Sequence, residues 1–529
     1  MAATNPFDKI SVKKPNYSTF DMSYDHKLSF KMGYLIPTHV QEVIPGDKFK
    51  ISSEGMFRMM PMIAPIMHKV DIYQHFFFVP NRIIWDGFEK FIGSEEDPDD
   101  VPLFPILNFQ NNTPIFASSL SDYLGLPVGA QLNAAASSGV PISALPFAAY
   151  YKIWYDYYRD QNLQDEEEVI LTDGSQSVAQ SDKLFQLRKR AWEHDYFTSA
   201  LPWAQKGEAV TIPMAFADYL VPVRNDWQST TQAKFRRTQS QVVPTGPLDS
   251  DAAGGGAIHV AGDAVTYDPD GSLIVDPQDF EGTTTINDLR TAMALQKWLE
   301  LNARAGTRYT ELLKAHFNVE SSDQRLQRPE YIGGFKNSMS ISEVLQTSET
   351  SAETPQGNMA GHGIGLMGGK MISYRIEEHG YIMGILSVRP RTAYFQGVPR
   401  HFMKTQDRYQ YYWPMFAFLG EQEIKNAELY FLNGDEDYNQ ATFGYIPRYT
   451  EYRYNPSRVS GEMTSSLDFW HMARKFAGPP FLNESFIQAN PTKRIFAVDD
   501  PAQDEIVAHI YHKIIAVRPM PKYGNPGSL

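Results

Sequence analysis

The sequence predicts a mainly β fold in which strands at both ends of the chain flank a long middle that contains helices. Apolar runs with strand-like alternation or aromatic and β-branched enrichment gather before residue 80 and after residue 370. Between them, two stretches change to helical spacing. The 529 residues are 42% hydrophobic and 13% aromatic with Cys 0, so a large core has to form by burial alone, without disulfides or thiol chemistry.

KLSFKMGY, residues 27–34, alternates Leu28, Phe30, Met32 and Tyr34 with Lys27, Ser29, Lys31 and Gly33, the period of a half-buried antiparallel strand. KFKIS, residues 48–52, repeats the alternation after the turn Pro45-Gly46-Asp47. KVDIYQHFFFVP is rich in aromatic and β-branched residues and stops at Pro80. Near the other end, YIMGILSV (381–388) and HIYHKIIAVRP (509–519) are further strands. In the middle, PFAAYYKIWYDYYRDQNL sets Phe147, Tyr151, Trp154 and Tyr158 on one aromatic helical face. TINDLRTAMALQKWLELNARAG places Leu289, Met293 and Leu299 among strong helix formers, with Gly306 as a stop and the short helix YTELLKAHF after it.

With Lys+Arg 48 against Asp+Glu 62, the net charge of -14 argues against a surface that tracks a polyanion throughout, so nucleic-acid contact has to be local. Nine of those charges lie between Thr238 and Leu289, where there is no Lys or Arg, leaving -5 for the remainder. The acids include Asp249, Asp251, Asp263, Asp268 and Asp270. Gly254-Gly255-Gly256 and the turn Asp268-Pro269-Asp270-Gly271 punctuate the segment, which reads either as a solvated loop or as an exposed projection built from a β-hairpin. No apolar run of 18 or more residues and no N-terminal secretory pattern occurs, so neither export nor membrane insertion is expected.

Catalytic and cofactor signals fail on their context. GIGLMG (363–368) follows a glycine-rich loop and precedes a strand-like run, whereas a dinucleotide site needs a strand before and a helix after. NGDEDYNQ has Asp435, Asp437 and Asn439 at calcium-loop spacing, but Gln440 and Ile446 stand where glycine and glutamate are required, so a polar surface turn is expected. His509 and His512 point to opposite faces of a strand and share no metal. His75 reads as a satisfied core or interface residue. The acids of residues 95–100 are adjacent carboxylates without the environment that separates two pKa values. No catalytic residue, metal or cofactor is expected.

FGYIPRYTEYRYNPSRVSGEM (443–463) interleaves Tyr445, Tyr449, Tyr452 and Tyr454 with Arg448, Arg453 and Arg458, and Pro447 and Pro456 keep it from being a regular helix. Tyrosine and arginine suit both stacking on single-stranded bases and burial between protein surfaces. The acidic balance of the chain favours the second.

That stretch, with HKVDIYQHFFFVPNRIIWDGFEKF, AYYKIWYDYYRDQNL, ARAGTRYTELLKAHFNVESSDQRLQRPEYIGG and HGYIMGILSVRPRTAYFQGVPRHF, resembles the major capsid proteins of small icosahedral single-stranded DNA bacteriophages, the microviruses, and more closely their gokushovirus branch. The resemblance covers essentially the whole chain. It implies an eight-stranded antiparallel jelly roll with very long loop insertions, divided as an arm and first strands (1–80), inserted loops with helices (81–369) and remaining strands with interface loops (370–529). It implies a T=1 shell around a circular single-stranded DNA genome, assembled in the bacterial cytoplasm, with no enzymatic activity. The acidic segment, 238–285, sits where this branch carries a protrusion that meets the host receptor, and Lys9, Lys13 and Lys14 become candidates for contact with the genome or a small basic packaging protein. The alternative is a jelly-roll carbohydrate-active enzyme or glycan-binding module, which needs two carboxylates facing across a cleft.

Overall fold

A computed structural model gives the structure; it describes residues 16–93, 101–109, 114–130, 140–208, 210, 286–306, 308–345, 359–498 and 500–523, with six short strands between Val223 and Val275. In chain order, β1 (Ser18–Asp21), β2 (Tyr24–Phe30), β3 (Ile36–Val43), β4 (Lys48–Met59) and β5 (Val70–Pro80) come first. The short strands are β6 (Val223–Asn225), β7 (Phe235–Arg237), β8 (Asp249–Ser250), β9 (Ile258–Val260), β10 (Asp263–Tyr267) and β11 (Leu273–Val275). Then follow β12 (Glu330–Ser338), β13 (Ser340–Leu345), β14 (Met359–Gly368), β15 (Ile372–Arg375), β16 (Gly380–Pro390), β17 (Glu421–Lys425), β18 (Thr442–Pro447) and β19 (Ile506–Arg518).

Two antiparallel sheets face one another. The first runs β1-β19-β4-β14-β13, with β2 also on β19 and β15 also on β4; the second runs β12-β5-β16-β3. Because β1 and β2 pair with successive stretches of β19, and β14 and β15 with successive stretches of β4, five strand lines face four. Strict alternation in β19 buries Ile506, Ala508, Ile510, His512, Ile514 and Ala516 and turns Val507, His509, Tyr511 and Lys513 outward. Phe49, Ile51 and Ile514 of the first sheet pack with Phe76, Phe78 and Ile382 of the second, and Phe57 and Ile510 pack with Ile72 and Leu386. This is the mainly β sandwich expected from the ends of the sequence.

β5 is buried on both faces. Its even-numbered residues meet the first sheet, whereas Phe77 and Val79 pack under the helix Leu145–Ile153 with Trp85, Tyr150 and Trp154. A double-sided environment explains why its sequence is nearly continuously apolar. That helix is buried all round, including Phe147, Ala148, Tyr150, Tyr151 and Ile153, and ends in a wider π-helical turn, Trp154–Tyr158. Tyr158 hydrogen-bonds His75 Nδ1 at 2.7 Å, which satisfies that histidine.

The expected loop before GIGLMG is instead β14, which pairs with β13 and β4. Its alternate glycines mark close approach: a Cβ at Gly361 would lie 2.3 Å from the Ala64 carbonyl oxygen and one at Gly365 2.5 Å from Ile72 Cδ1. NGDEDYNQ is a capped helical turn, Glu436–Gln440, with the Asp435 carboxylate accepting from the Tyr438 amide at 2.9 Å. The acids of residues 95–100 lie outside the described residues.

The chain divides into two compact units, Met1–Lys206 with Asn302–Leu529, and Gly207–Leu301. The second has wider bounds than 238–285. Among its described strands, β7-β10-β9-β8 form one antiparallel sheet and β11-β6 another, with β9 and β10 paired Val260 to Asp263. Asp249 lies in β8 and Asp263 opens β10; Asp251, Asp268 and Asp270 lie outside the described residues, as do Lys9, Lys13 and Lys14. The helix Ile286–Ala305 ends at Gly306, whose φ of 95° is the left-handed stop that glycine permits.

One polar spot interrupts the sandwich core. His39 of β3 and His512 of β19 face each other with ring centres 5.5 Å apart, bonded to Tyr24 Oη (2.9 Å) and Ser53 Oγ (2.7 Å) respectively. Burial first, then His512 and His26, pulls His39 down to about 3; burial first, then His26, pulls His512 down to about 4. The unfolded chain therefore binds more protons below about pH 6.5, and stability falls as pH falls. From pH 7 to 5 each histidine should remove about 2 kcal/mol of unfolding free energy. Denaturant unfolding of the purified protein at both pH values checks this, and the double variant H39Q/H512Q should show a shallower slope.

Candidate subunit-contact surface

β17 and β18 pair as a two-stranded ribbon, with Glu423 opposite Tyr445. Two irregular loops grow from it. Residues 400–420 carry three single-turn 3-10 helices, Arg400–Phe402, Arg408–Gln410 and Pro414–Phe416. The other loop continues β18 through Tyr449 into the 3-10 turn Thr450–Tyr452. Prolines at 414 and 447 keep both short of regular helix.

Tyr449 locks the two loops together. It is buried at a φ of 63°, a left-handed conformation that costs a non-glycine residue about 1 kcal/mol or more. Compensating contacts hold it there. Its amide donates to Gln422 Oε1 (3.0 Å), its hydroxyl donates to the Tyr411 carbonyl (3.2 Å), and the Trp413 amide donates to that hydroxyl (3.4 Å). The Tyr412 ring packs edge-on at 5.0 Å. Arg448 donates to the Tyr409 carbonyl (3.3 Å) and lies over the rings of Phe416 and Tyr449.

Ion pairs fix the base beneath. Arg400 bridges Glu428 (2.9 Å) and Glu451 (3.7 Å), Lys404 meets Glu451 at 2.9 Å, and the Tyr196 hydroxyl donates to Glu428 at 2.9 Å. Burial raises the Glu451 carboxyl, but the hydrogen bonds from Lys404 and Gln422 outweigh it and hold the group below its ordinary value. Lys404 also lies 4.1 Å from the Tyr452 ring centre. An ordered scaffold therefore supports whatever the loops present.

What they present is apolar. Phe418 is 96% exposed and Met415 84%, beside exposed Phe402, Tyr411, Tyr412, Trp413 and Leu419. Leaving one such ring in water forgoes roughly 2 kcal/mol of burial, so a contiguous group of them marks a surface built to be covered. Of the seven residues singled out in the sequence, Arg448 and Tyr449 hold this scaffold and Tyr445 is half-buried in β18, whereas Tyr452, Arg453, Tyr454 and Arg458 are exposed, Tyr452 beside Tyr412 and Arg458 beside Tyr394. The run Tyr411–Phe418 itself was missed, although five aromatics in eight residues interrupted by Pro414 are a visible signal.

Among the described residues no group of three or more metal-ligating side chains occurs, and no helix is long and apolar enough to cross a membrane. A two-sheet β sandwich whose long loops hold an ordered aromatic surface defines a structural subunit that meets other proteins. The chain belongs to the phage capsid protein (F protein) family, whose model matches residues 9–528. It is 38% identical to the capsid protein VP1 of Bdellovibrio phage phiMH2K, over 97% of this chain and 95% of that one. To the capsid protein VP1 of Chlamydia phage 1 it is 34% identical, over 99% and 97%, and to that of Spiroplasma virus 4 it is 31% identical, over 94% and 93%. It is a structural capsid protein of the virion that self-assembles into a shell, and not an enzyme.

Tyr449 should decide the order of the loop pair. Y449A should destabilise it by about 3 kcal/mol, the cost of truncating a buried aromatic. Trypsin cleavage at Arg408 should accelerate correspondingly, with the global unfolding midpoint little changed.

Proposed function

We propose that copies of this chain close into a T=1 icosahedral shell around a circular single-stranded DNA genome, joined in part through the aromatic loop 400–420 and the neighbouring residues Tyr452, Arg453, Tyr454 and Arg458. The observation that carries this reading is an ordered surface holding Met415 and Phe418 almost fully in solvent on a lone copy. Closed symmetric assembly is the arrangement that covers every such surface at once. In this reading Tyr445, Arg448 and Tyr449 set the shape of the seam and the exposed residues meet the neighbour. The β-rich ends, 1–80 and 370–529, supply the wall together with β12, β13 and β14 from the end of the insertion; the rest of the insertion, 81–369, supplies contacts and the projection. Lys9, Lys13 and Lys14 contact the genome or a small basic packaging protein from within, and assembly takes place in the bacterial cytoplasm.

The seam is tested by M415S/F418S. Both side chains make their surface in solvent, so subunit unfolding should shift by no more than about 0.5 kcal/mol. Shell yield, read by sedimentation and electron microscopy, should fall at least tenfold. Normal shells of normal melting temperature would remove this seam from the proposal.

In the same reading the acidic segment 238–285, with Asp249, Asp251, Asp263, Asp268 and Asp270, projects outward to meet the host receptor. Acids without a base repel each other and an enclosed polyanion, so an exterior position costs least. Replacing residues 249–279 with a short Gly-Ser linker should leave shells that assemble and retain DNA yet adsorb poorly to host cells. Unchanged adsorption and infection would rule out the receptor role.

A further inference from the structure

On the face of the second sheet turned away from the sandwich, His75, Tyr331 and Arg389, with Tyr158 and Arg190 from the covering loops, line a cavity of about 1080 Å³. Two of its lining residues, Arg190 and Arg389, belong with Lys336 to a group of three cations around the Tyr73 ring behind the cavity wall. Arg190, Lys336 and Arg389 lie 4.1, 4.8 and 5.1 Å from the ring centre of Tyr73. Arg190 donates to Ser387 Oγ at 2.7 Å, and Arg389 donates to the Ala191 carbonyl, while the Nε of the buried Arg389 has no hydrogen-bond partner. Neither arginine has a carboxylate within ion-pair distance among the described residues.

The carboxylates nearby are already engaged. Asp71 meets Lys336 (2.9 Å), Lys69 (3.8 Å) and Arg391 (3.8 Å), and Glu193 meets Lys336 (3.8 Å). Five cations, Lys69, Arg190, Lys336, Arg389 and Arg391, thus surround two carboxylates. Elsewhere on the rim charges pair off: Arg328 with Asp323 (3.4 Å), Arg308 with Glu311 (3.6 Å) and Lys314 with Glu320. Burial, then the neighbouring Arg389, pulls Arg190 down to about 10, against the weaker opposite pull of Tyr158, Tyr73 and Glu193.

The opposite wall is aromatic. His75 and Tyr158 are stacked with ring centres 6.0 Å apart, and Tyr331 stands edge-on to His75 at 5.7 Å with 46% of its surface exposed. We propose that this cavity binds a phosphate group at Arg190 and Arg389, with Lys336 adding positive charge from behind Tyr73 and the Tyr331 ring open to a base attached to it. A phosphate offers more acceptor oxygens than a carboxylate, and so serves several converging donors at once. Rings beside arginines are the arrangement on which single-stranded bases stack.

The phosphate belongs either to a DNA strand or to a free nucleotide or phosphate ion, and the strand source rests on the genome-enclosing reading above. The test uses purified full-length protein and a fluorescent single strand of about 12 nucleotides, with inorganic phosphate, thymidine monophosphate and acetate as competitors. R389Q and R190Q should each weaken strand binding at least tenfold and lower its salt slope by about 1. Displacement by thymidine monophosphate or inorganic phosphate assigns the site to free phosphates as well; resistance to both assigns it to the strand. Either result supports the site. Wild-type affinity and salt slope in both variants would overturn it, and so would displacement by acetate as effective as by phosphate. Arg190 is only partly buried, so R190Q keeps the test intact where R389Q fails to fold. Shell assembly of the same variants, followed by sedimentation, separates failure of the site from failure of the shell reading.

Discussion

The structure depends on burial between two sheets that no covalent link holds together. With Cys 0, everything that keeps β19 and β4 against β5 and β16 is apolar contact, and the alternation of each strand sets which residues take part. A slip of one residue in β19 would turn Ile510 and Ile514 to solvent and bring Tyr511 and Lys513 into the core. Register and core are therefore one constraint. The facing pair His39 and His512 is the point where it is least secure, since a proton on either ring has no carboxylate to meet it.

Much of this frame was legible in the sequence. β4, β5, β16 and β19 each showed an alternating or continuous apolar pattern, and Pro80 marked the end of β5 where the structure places it. The helix over Phe147–Trp154 was legible as well, but the single aromatic face read from spacing understated its burial, because the second sheet lies beneath it and loops cover the rest. β14 was missed for a specific reason. Glycine ordinarily signals a turn, and only the approach of Ala64 and Ile72 reveals that here it makes room for neighbours.

The aromatic loop was missed for a different reason. Periodicity reports which residues face a core within one chain, and a surface meant for a second copy follows no such period. In 443–463 the same residue types therefore divide between two tasks: Tyr449 turns inward to hold the loops, and Tyr452 and Tyr454 stay outside. Spacing could not tell them apart. The hydrogen bonds of Tyr449 to Tyr411, Trp413 and Gln422 do.

The place of β19 carries a consequence for the life of the chain. It lies between β4 and the β1–β2 line, pairing Arg518 with Ser18 and Val517 with Lys48. Of all the strands described, it is the last to leave the ribosome. Until it emerges, the β1–β2 line has nothing to join it to β4, and the core between the sheets lacks Ile510 and Ile514. Contacts so distant in sequence form slowly, because the loop between them has to close first. The subunit thus stays unfinished until residues 506–518 have been made, and a wall still open to that point cannot begin joining its neighbours before it.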